Sequence, residues 1–349
     1  MRIFDYVKRT KKSFKELKFN ELDALVLANL SYINYGTILK RKKMALKDVY
    51  PKIKHDESIF AIDRFNYQNI LLLRALSESP RFKNIILEHY ERKNTDTCQF
   101  AALTIRIPHV LKYISFEGTE DFLEGWEEDC RFAFEFPTDS QKQAYKYLKK
   151  RIKFKDFNVI IGGHSKGGNL AIASLLPMSF LTKLRIKNIY NFDGPGFLEE
   201  IVNTKEYQSI KNKIISYYPE ESVVGMLLSN NSRHYIVKSS YKKVQQHNCY
   251  SWRIKDYIFE RGVLSNYSKK MHNRVVKICE RYTKEERRLF VNTLFNLLED
   301  SGYEKKSELD HINIKKMINM VKNLSNLKKE EKTILIDMFK LLLIEEKSV

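Results

Sequence analysis

Cysteine is scarce in this chain and scattered: Cys98, Cys130, Cys249 and Cys279 are its four thiols, and no two of them stand in C-x-x-C spacing. Neither a zinc site nor a disulfide framework is indicated. Long apolar runs are missing as well. No stretch reaches about 18 uncharged apolar residues, so a membrane-spanning helix is not expected. The first 20 residues are basic and broken by Asp5 and Glu16, which excludes the apolar core of a signal peptide. The expectation is a cytoplasmic protein. A P-loop, a dinucleotide-binding fingerprint and an RNA-binding signature are also absent, so no cofactor and no specific nucleic acid is expected.

Positive charge, by contrast, is abundant. Sixty-two Lys plus Arg against 43 Asp plus Glu leave a formal net charge of +19. That balance favours anionic surfaces such as phospholipid head groups or nucleic acid, although a solvated, lysine-rich surface explains it more simply. With 349 residues, 43% of them hydrophobic, the chain holds a large core, read as one main domain and an appendage.

The stretch that organises the rest is Val159 to Ala171, an apolar β-branched run, a Gly-rich corner and an Ala- and Leu-rich helix start. Gly163-His164-Ser165-Lys166-Gly167 fits G-x-S-x-G, the nucleophile elbow. There a serine occupies a strained strand-to-helix turn, and glycine lets the neighbouring backbones approach. An ordinary Gly-rich turn or an anion-binding loop is the plainer alternative.

Upstream, Asn20 to Tyr35 reads as a capped, packed helix, and Ile59 to Leu76 as a second one after the basic run Lys40 to Lys43. Cys98 to Ile107 and Leu111 to Phe116 are β-rich runs flanking Pro108-His109, a hairpin pattern. The second run ends in Glu117-Gly118-Thr119, where hydrolases of this fold place one oxyanion-hole N–H, the other coming from the residue after the serine. Thr119 and Lys166 are therefore the expected oxyanion-hole donors. Between Glu117 and Asp139 nine acidic residues stand against one basic residue. Trp126, Cys130, Ala133 and Phe134 share a helical face there, so this segment is either a cover for the site or a solvated acidic helix.

A serine hydroxyl needs a histidine base, and the histidine needs an acid. In α/β-hydrolases both follow the serine, acid first. His247 lies in a polar loop after the last expected strand. His234 starts a strand, while His272 and His311 fall in a helical tail, and His164 should point away across the tight turn. For the acid, Glu221 follows the strand Lys213 to Tyr218 and ranks first, Asp193 at the end of the strand Lys187 to Phe192 second, and Glu220 third. Asp193 also suits a plain Asp-Gly-Pro turn.

Phe116-Glu117-Gly118-Thr119, Gly163 to Ala171, Asn191 to Phe197, Glu221 to Leu228 and Gln246-His247 with Ser251-Trp252 together resemble the Mbeg-like bacterial family of α/β-hydrolase proteins. That family is similar to class 3 lipases, whose pattern is F-R-G-T, G-H-S-L-G-G, F-G-x-P, an Asp in D-x-V-P and a late His. The resemblance spans roughly residues 20 to 260. It implies Thr119 in the oxyanion loop, Ser165 as nucleophile, His247 as base, and Glu221 at the position of the lipase Asp. Glu117 in place of the lipase Arg and Lys166 in place of its Leu depart from the pattern and from its apolar substrate preference.

Beyond Ser265 strand patterns stop. Arg274 to Tyr282, Lys284 to Leu298, Ile312 to Leu324 and Lys329 to Glu346 read as helices. The expected class is α/β, an α/β-hydrolase-like, mostly parallel sheet flanked by helices, with a C-terminal all-helical extension. The expected units are an α/β-hydrolase-like domain over residues 1–262, with a helical N-terminal region 1–95, and the extension over 263–349. The expected activity is cofactor-independent cleavage of a small-molecule or lipid carboxylic ester. The alternative is a catalytically idle hydrolase fold that contacts anionic membrane or a partner through its basic tail.

Overall fold

The computed structural model describes residues 1–36, 38–39, 42–54, 64–119, 123–304 and 314–343. Eight strands form one sheet in which each strand lies beside its successor in the chain. β1 (Lys43–Ala45), β2 (Ile86–Thr95), β3 (Cys98–Ile107) and β4 (Leu111–Phe116) pair antiparallel. From β4 onward the pairing is parallel, through β5 (Val159–His164), β6 (Ile186–Phe192), β7 (Ile214–Pro219) and β8 (Arg233–Val237). A separate hairpin joins β9 (Ile254–Lys255) and β10 (Ile258–Phe259).

The helices are distributed as this strand order demands. α1 (Ile3–Arg9), α2 (Glu21–Asn29), α3 (Leu46–Ile53) and α4 (Arg64–Glu78) come first. α5 (Leu123–Arg131) and α6 (Asp139–Arg151) link β4 to β5, α7 (Lys166–Leu175) and α8 (Phe180–Arg185) link β5 to β6, and α9 (Glu199–Val202) and α10 (Lys205–Ile210) link β6 to β7. α11 (Asn266–Arg281), α12 (Lys284–Asp300), α13 (Ile314–Asn326) and α14 (Lys329–Leu343) follow the sheet.

Crossovers of one hand that always step to the next strand put their helices on a single face of the sheet. The opposite face must be covered by other means. Side-chain alternation shows this division: Val159 and Ile161 of β5 pack with α6, α7 and α10, whereas Ile160 packs with the N-terminal helices and with Trp252 and Phe259. α2 is buried from Leu22 to Asn29, as an all-round apolar helix must be. Its N-cap Asn20 accepts from the backbone of Leu22 and Asp23, and buried Asp23 is held by Arg81 through Nη2–Oδ2 at 2.6 Å and Nε–Oδ1 at 2.9 Å.

The fold is therefore the expected α/β class, a mostly parallel sheet flanked by helices with further helices at the C-terminus. One expectation is corrected. The region 1–95 is not wholly helical, because β1 and the ten-residue β2 extend the sheet beyond β3. The β2 register slips between Glu88 and Glu91, with His89 at φ 56°, and this bulge breaks the two-residue alternation that would mark a strand. Lys40 and Arg41 of the basic run, residues 59–63 of the second expected helix, His311 and residues 312–313 and 344–346 of the tail lie outside the described residues. Among the described residues, no helix is long and apolar enough to cross a membrane.

Candidate active site

β5 ends in the elbow. Ser165 adopts φ 58° and ψ −135°, a conformation costly for a residue with a Cβ, and its N–H is held by the Phe192 carbonyl at 2.9 Å. The flanking glycines are steric requirements: a Cβ on Gly163 would lie 2.4 Å from the Gly167 carbonyl carbon, and one on Gly167 would lie 2.1 Å from the Phe116 carbonyl oxygen. Ser165 therefore stands at the tip of a turn wedged between β4 and α7.

His247 comes from the end of a short 3-10 turn, Lys243–His247. Its Nε2 is 2.9 Å from Ser165 Oγ and its Nδ1 is 2.7 Å from Asp193 Oδ2. With Asp193 ionised, Nδ1 carries the proton and Nε2 accepts from the serine hydroxyl. Asp193 is fully buried at the end of β6, at φ 52°. Burial pushes its carboxyl up to about 7, while the Ser222 hydroxyl and the Gly225 N–H donate to it and oppose the rise.

The order of candidate acids is thus corrected. Glu221 does not meet His247: its Oε2 accepts from the Lys243 N–H at 2.7 Å and from Gln246 Nε2 at 2.9 Å, and its own N–H donates to Gln246 Oε1 at 3.0 Å. It buckles the turn that presents the histidine. Glu220 lies over Gly262, where an added Cβ would come 2.6 Å from its Oε1. His234 sits beside the Ser232 carbonyl, and His272 is 3.0 Å from the Met226 carbonyl, both away from Ser165.

The loop carrying Thr119 passes against the serine, since a Cβ on Gly118 would be 3.0 Å from Ser165 Cβ. The Thr119 hydroxyl donates to Asp129 Oδ2. Lys166 opens α7, so its N–H has no carbonyl one turn earlier in the helix to receive it. Its side chain is fully buried, with Nζ 3.2 Å from Glu128 Oε2. Burial disfavours the ammonium, but Glu128 and Asp129 outweigh it and hold the group above its usual range. Adjacent residues of α5 thus anchor the side chains of both expected oxyanion donors, which the sequence reading missed. Glu128 also accepts from the backbone of Gln99 at 3.1 Å and Ser140 at 2.8 Å. The other side of α5 meets α12, with Trp126 edge-on to Phe295 at 5.2 Å, so the acidic helix is anchored at both faces.

A second missed pair backs the histidine. His164 Nε2 is 2.8 Å from the His247 carbonyl, which only accepts, so Nε2 bears the proton. Nδ1 then faces the Tyr32 hydroxyl at 3.1 Å, which also receives the Gly118 N–H. Burial first, and His247 second, push His164 down to about 3, leaving it neutral. Among the described residues, no group of three or more His, Cys, Asp or Glu could hold a metal ion.

The model of the Mbeg1-like family matches residues 76–296, well over half of the chain. The chain belongs to the Mbeg1-like family. The matched span holds Thr119, Ser165, Asp193, Glu221 and His247, whereas Tyr32 precedes it. No curated protein matches the chain. Among solved structures, this Mbeg1-like chain is similar to one described as "Crystal structure of M37 lipase", at 12% identity, over 75% of this chain and 82% of that one, with a TM-score of 0.34.

Proposed function

We propose that the protein is a serine hydrolase that cleaves carboxylic esters through an acyl-enzyme. The observation that carries this is the unbroken hydrogen-bonded series Ser165 Oγ, His247 Nε2, His247 Nδ1, Asp193 Oδ2 on a strained elbow. Such a series supplies what an unactivated hydroxyl lacks.

Ser165 Oγ attacks the ester carbonyl carbon while His247 Nε2 takes its proton. The carbonyl oxygen becomes an oxyanion facing the backbone N–H groups of Lys166 and Thr119. Collapse breaks the bond to the leaving alkoxide, which receives the proton from Nε2, and the acyl group stays on Ser165. Water then attacks, gives a proton to Nε2, and releases the acid as that proton returns to Ser165 Oγ. Asp193 keeps the imidazole in the required tautomer and stabilises the imidazolium. The buried Lys166–Glu128 ion pair and the half-buried Thr119–Asp129 hydrogen bond tie down the side chains of the two donors before substrate arrives, and preorganised donors stabilise an oxyanion most effectively.

The test is turnover of a panel of p-nitrophenyl esters. Wild type should be active and Ser165→Ala should lose on the order of 10⁴-fold or more. Equal rates for the two folded proteins would overturn the assignment.

A further inference from the structure

The end of the sheet opposite Ser165 carries an exposed apolar surface that ester hydrolysis does not use. α8 buries none of its residues, yet it contains Phe180, Leu181 and Leu184, which are 72%, 62% and 58% exposed. Beside it, the loop entering β5 exposes Phe154 at 85% and Phe157 at 74%. The two segments form one face. β5 and β6 begin side by side, with Val159 opposite Ile186, and Arg185 Nε donates to the Phe154 carbonyl at 3.2 Å. The Arg185 guanidinium also lies 5.2 Å from the centre of the Phe154 ring. A surface helix ordinarily turns its apolar residues inward, so a helix whose large apolar side chains all meet water marks a contact surface rather than scatter.

Cations are threaded through this face. Lys153 and Lys155 flank Phe154, while Lys183, Arg185 and Lys187 lie on α8 and the start of β6. Asp156, the acidic residue in the β5 loop, is turned inward and paired with Lys112, so it does not neutralise them. Lysine is depleted from the cores of protein–protein interfaces. Phe and Leu interleaved with Lys and Arg suit the boundary between acyl chains and anionic head groups, where rings insert and cations meet phosphate.

We infer that this face docks the protein on an anionic phospholipid bilayer. β5 spans about 20 Å between the face and the elbow. Docking there leaves the Ser165 end directed away from the bilayer, so it localises the protein rather than feeding lipid into the site. The inference does not depend on the proposed hydrolysis.

The test is co-sedimentation of the full chain with large vesicles of phosphatidylcholine alone or mixed with phosphatidylglycerol. Two variants are compared with wild type: Phe154→Ser with Phe157→Ser and Leu181→Ser, and Lys153→Glu with Lys155→Glu. All five positions are exposed, so melting temperature should hold. Wild type should bind the phosphatidylglycerol vesicles in a salt-sensitive manner, and each variant should bind at least about tenfold more weakly. Binding unchanged in both variants, or no wild-type binding, would overturn the inference. So would a concentration-dependent wild-type oligomer that the apolar variant abolishes without any vesicle binding, since the face would then be a protein contact.

Discussion

Replacing Asp193 by Asn tests the site at the point where two acids compete. The Asp193 carboxylate lies 2.7 Å from His247 Nδ1 and is fully buried, so water cannot take its place. An Asn that points its amide nitrogen at Nδ1 forces the proton onto Nε2, which then cannot accept from Ser165. An Asn that points its oxygen there keeps the tautomer but brings no charge to balance the imidazolium. Either way kcat should fall by about 10⁴-fold, or roughly 5 kcal/mol of barrier. Glu221→Gln should cost less than about tenfold, because Gln retains an oxygen for the Lys243 N–H and the lost contacts only loosen the turn. The assay is steady-state hydrolysis of a short p-nitrophenyl ester, with thermal melts to verify folding. The melts carry a sign of their own. Burial raises Asp193 to about 7, so the stability linked to its proton is present below the unfolded value near 4 and is lost as pH rises through about 7. Asn lacks this dependence, so Asp193→Asn should gain on wild type in melting temperature from about pH 5 to about pH 8. A large kcat loss in Glu221→Gln, with Asp193→Asn near wild type, would refute the reasoning.

Other expectations follow from the same contacts. Ser222→Ala removes a donor that favours the charged Asp193 carboxylate, so that carboxyl should rise further and the acid limb of the kcat/KM profile should move to higher pH. Glu128→Gln takes from the fully buried Lys166 ammonium the carboxylate 3.2 Å away, leaving the weaker influence of Asp129 against the cost of burial. It should destabilise the fold by about 3 kcal/mol and lower kcat more than it raises KM, measured by denaturant melts and ester kinetics. Gly167→Ala should not yield a native-like melt at all, since its Cβ would lie 2.1 Å from the Phe116 carbonyl oxygen.

The elbow was legible because its chemistry is local: a β-branched strand, two sterically required glycines and a helix start occupy 13 consecutive residues, Val159 to Ala171. The β3–β4 hairpin was legible for the same reason, having clear β runs on both sides of Pro108-His109. Glu221 ranks above Asp193 in the sequence because topology alone favours the strand before the histidine, yet it is Asp193 that meets His247. What decides it is the αL-like backbone of Asp193, at φ 52°, which lets one residue both form the Gly-Pro turn and turn its carboxylate to His247. β2 was hidden by its charged residues and its bulge, and it is held by pairing to β3 rather than by its own pattern. Tyr32 and Glu128 reach the site from distant segments, and no spacing rule links an isolated tyrosine or one member of an acidic run to a serine. The signal available for Glu128 was Lys166, a lysine beside Ser165 in a largely apolar strand-to-helix stretch, because a buried ammonium requires a carboxylate.

The most direct test of the central claim is labelling of the folded chain with a fluorophosphonate, followed by peptide mass spectrometry. An activated Ser165 should carry the phosphonyl group stoichiometrically, and Asp193→Asn should slow the reaction. A folded protein that stays unlabelled, or one labelled at another residue with Ser165 free, would contradict the account.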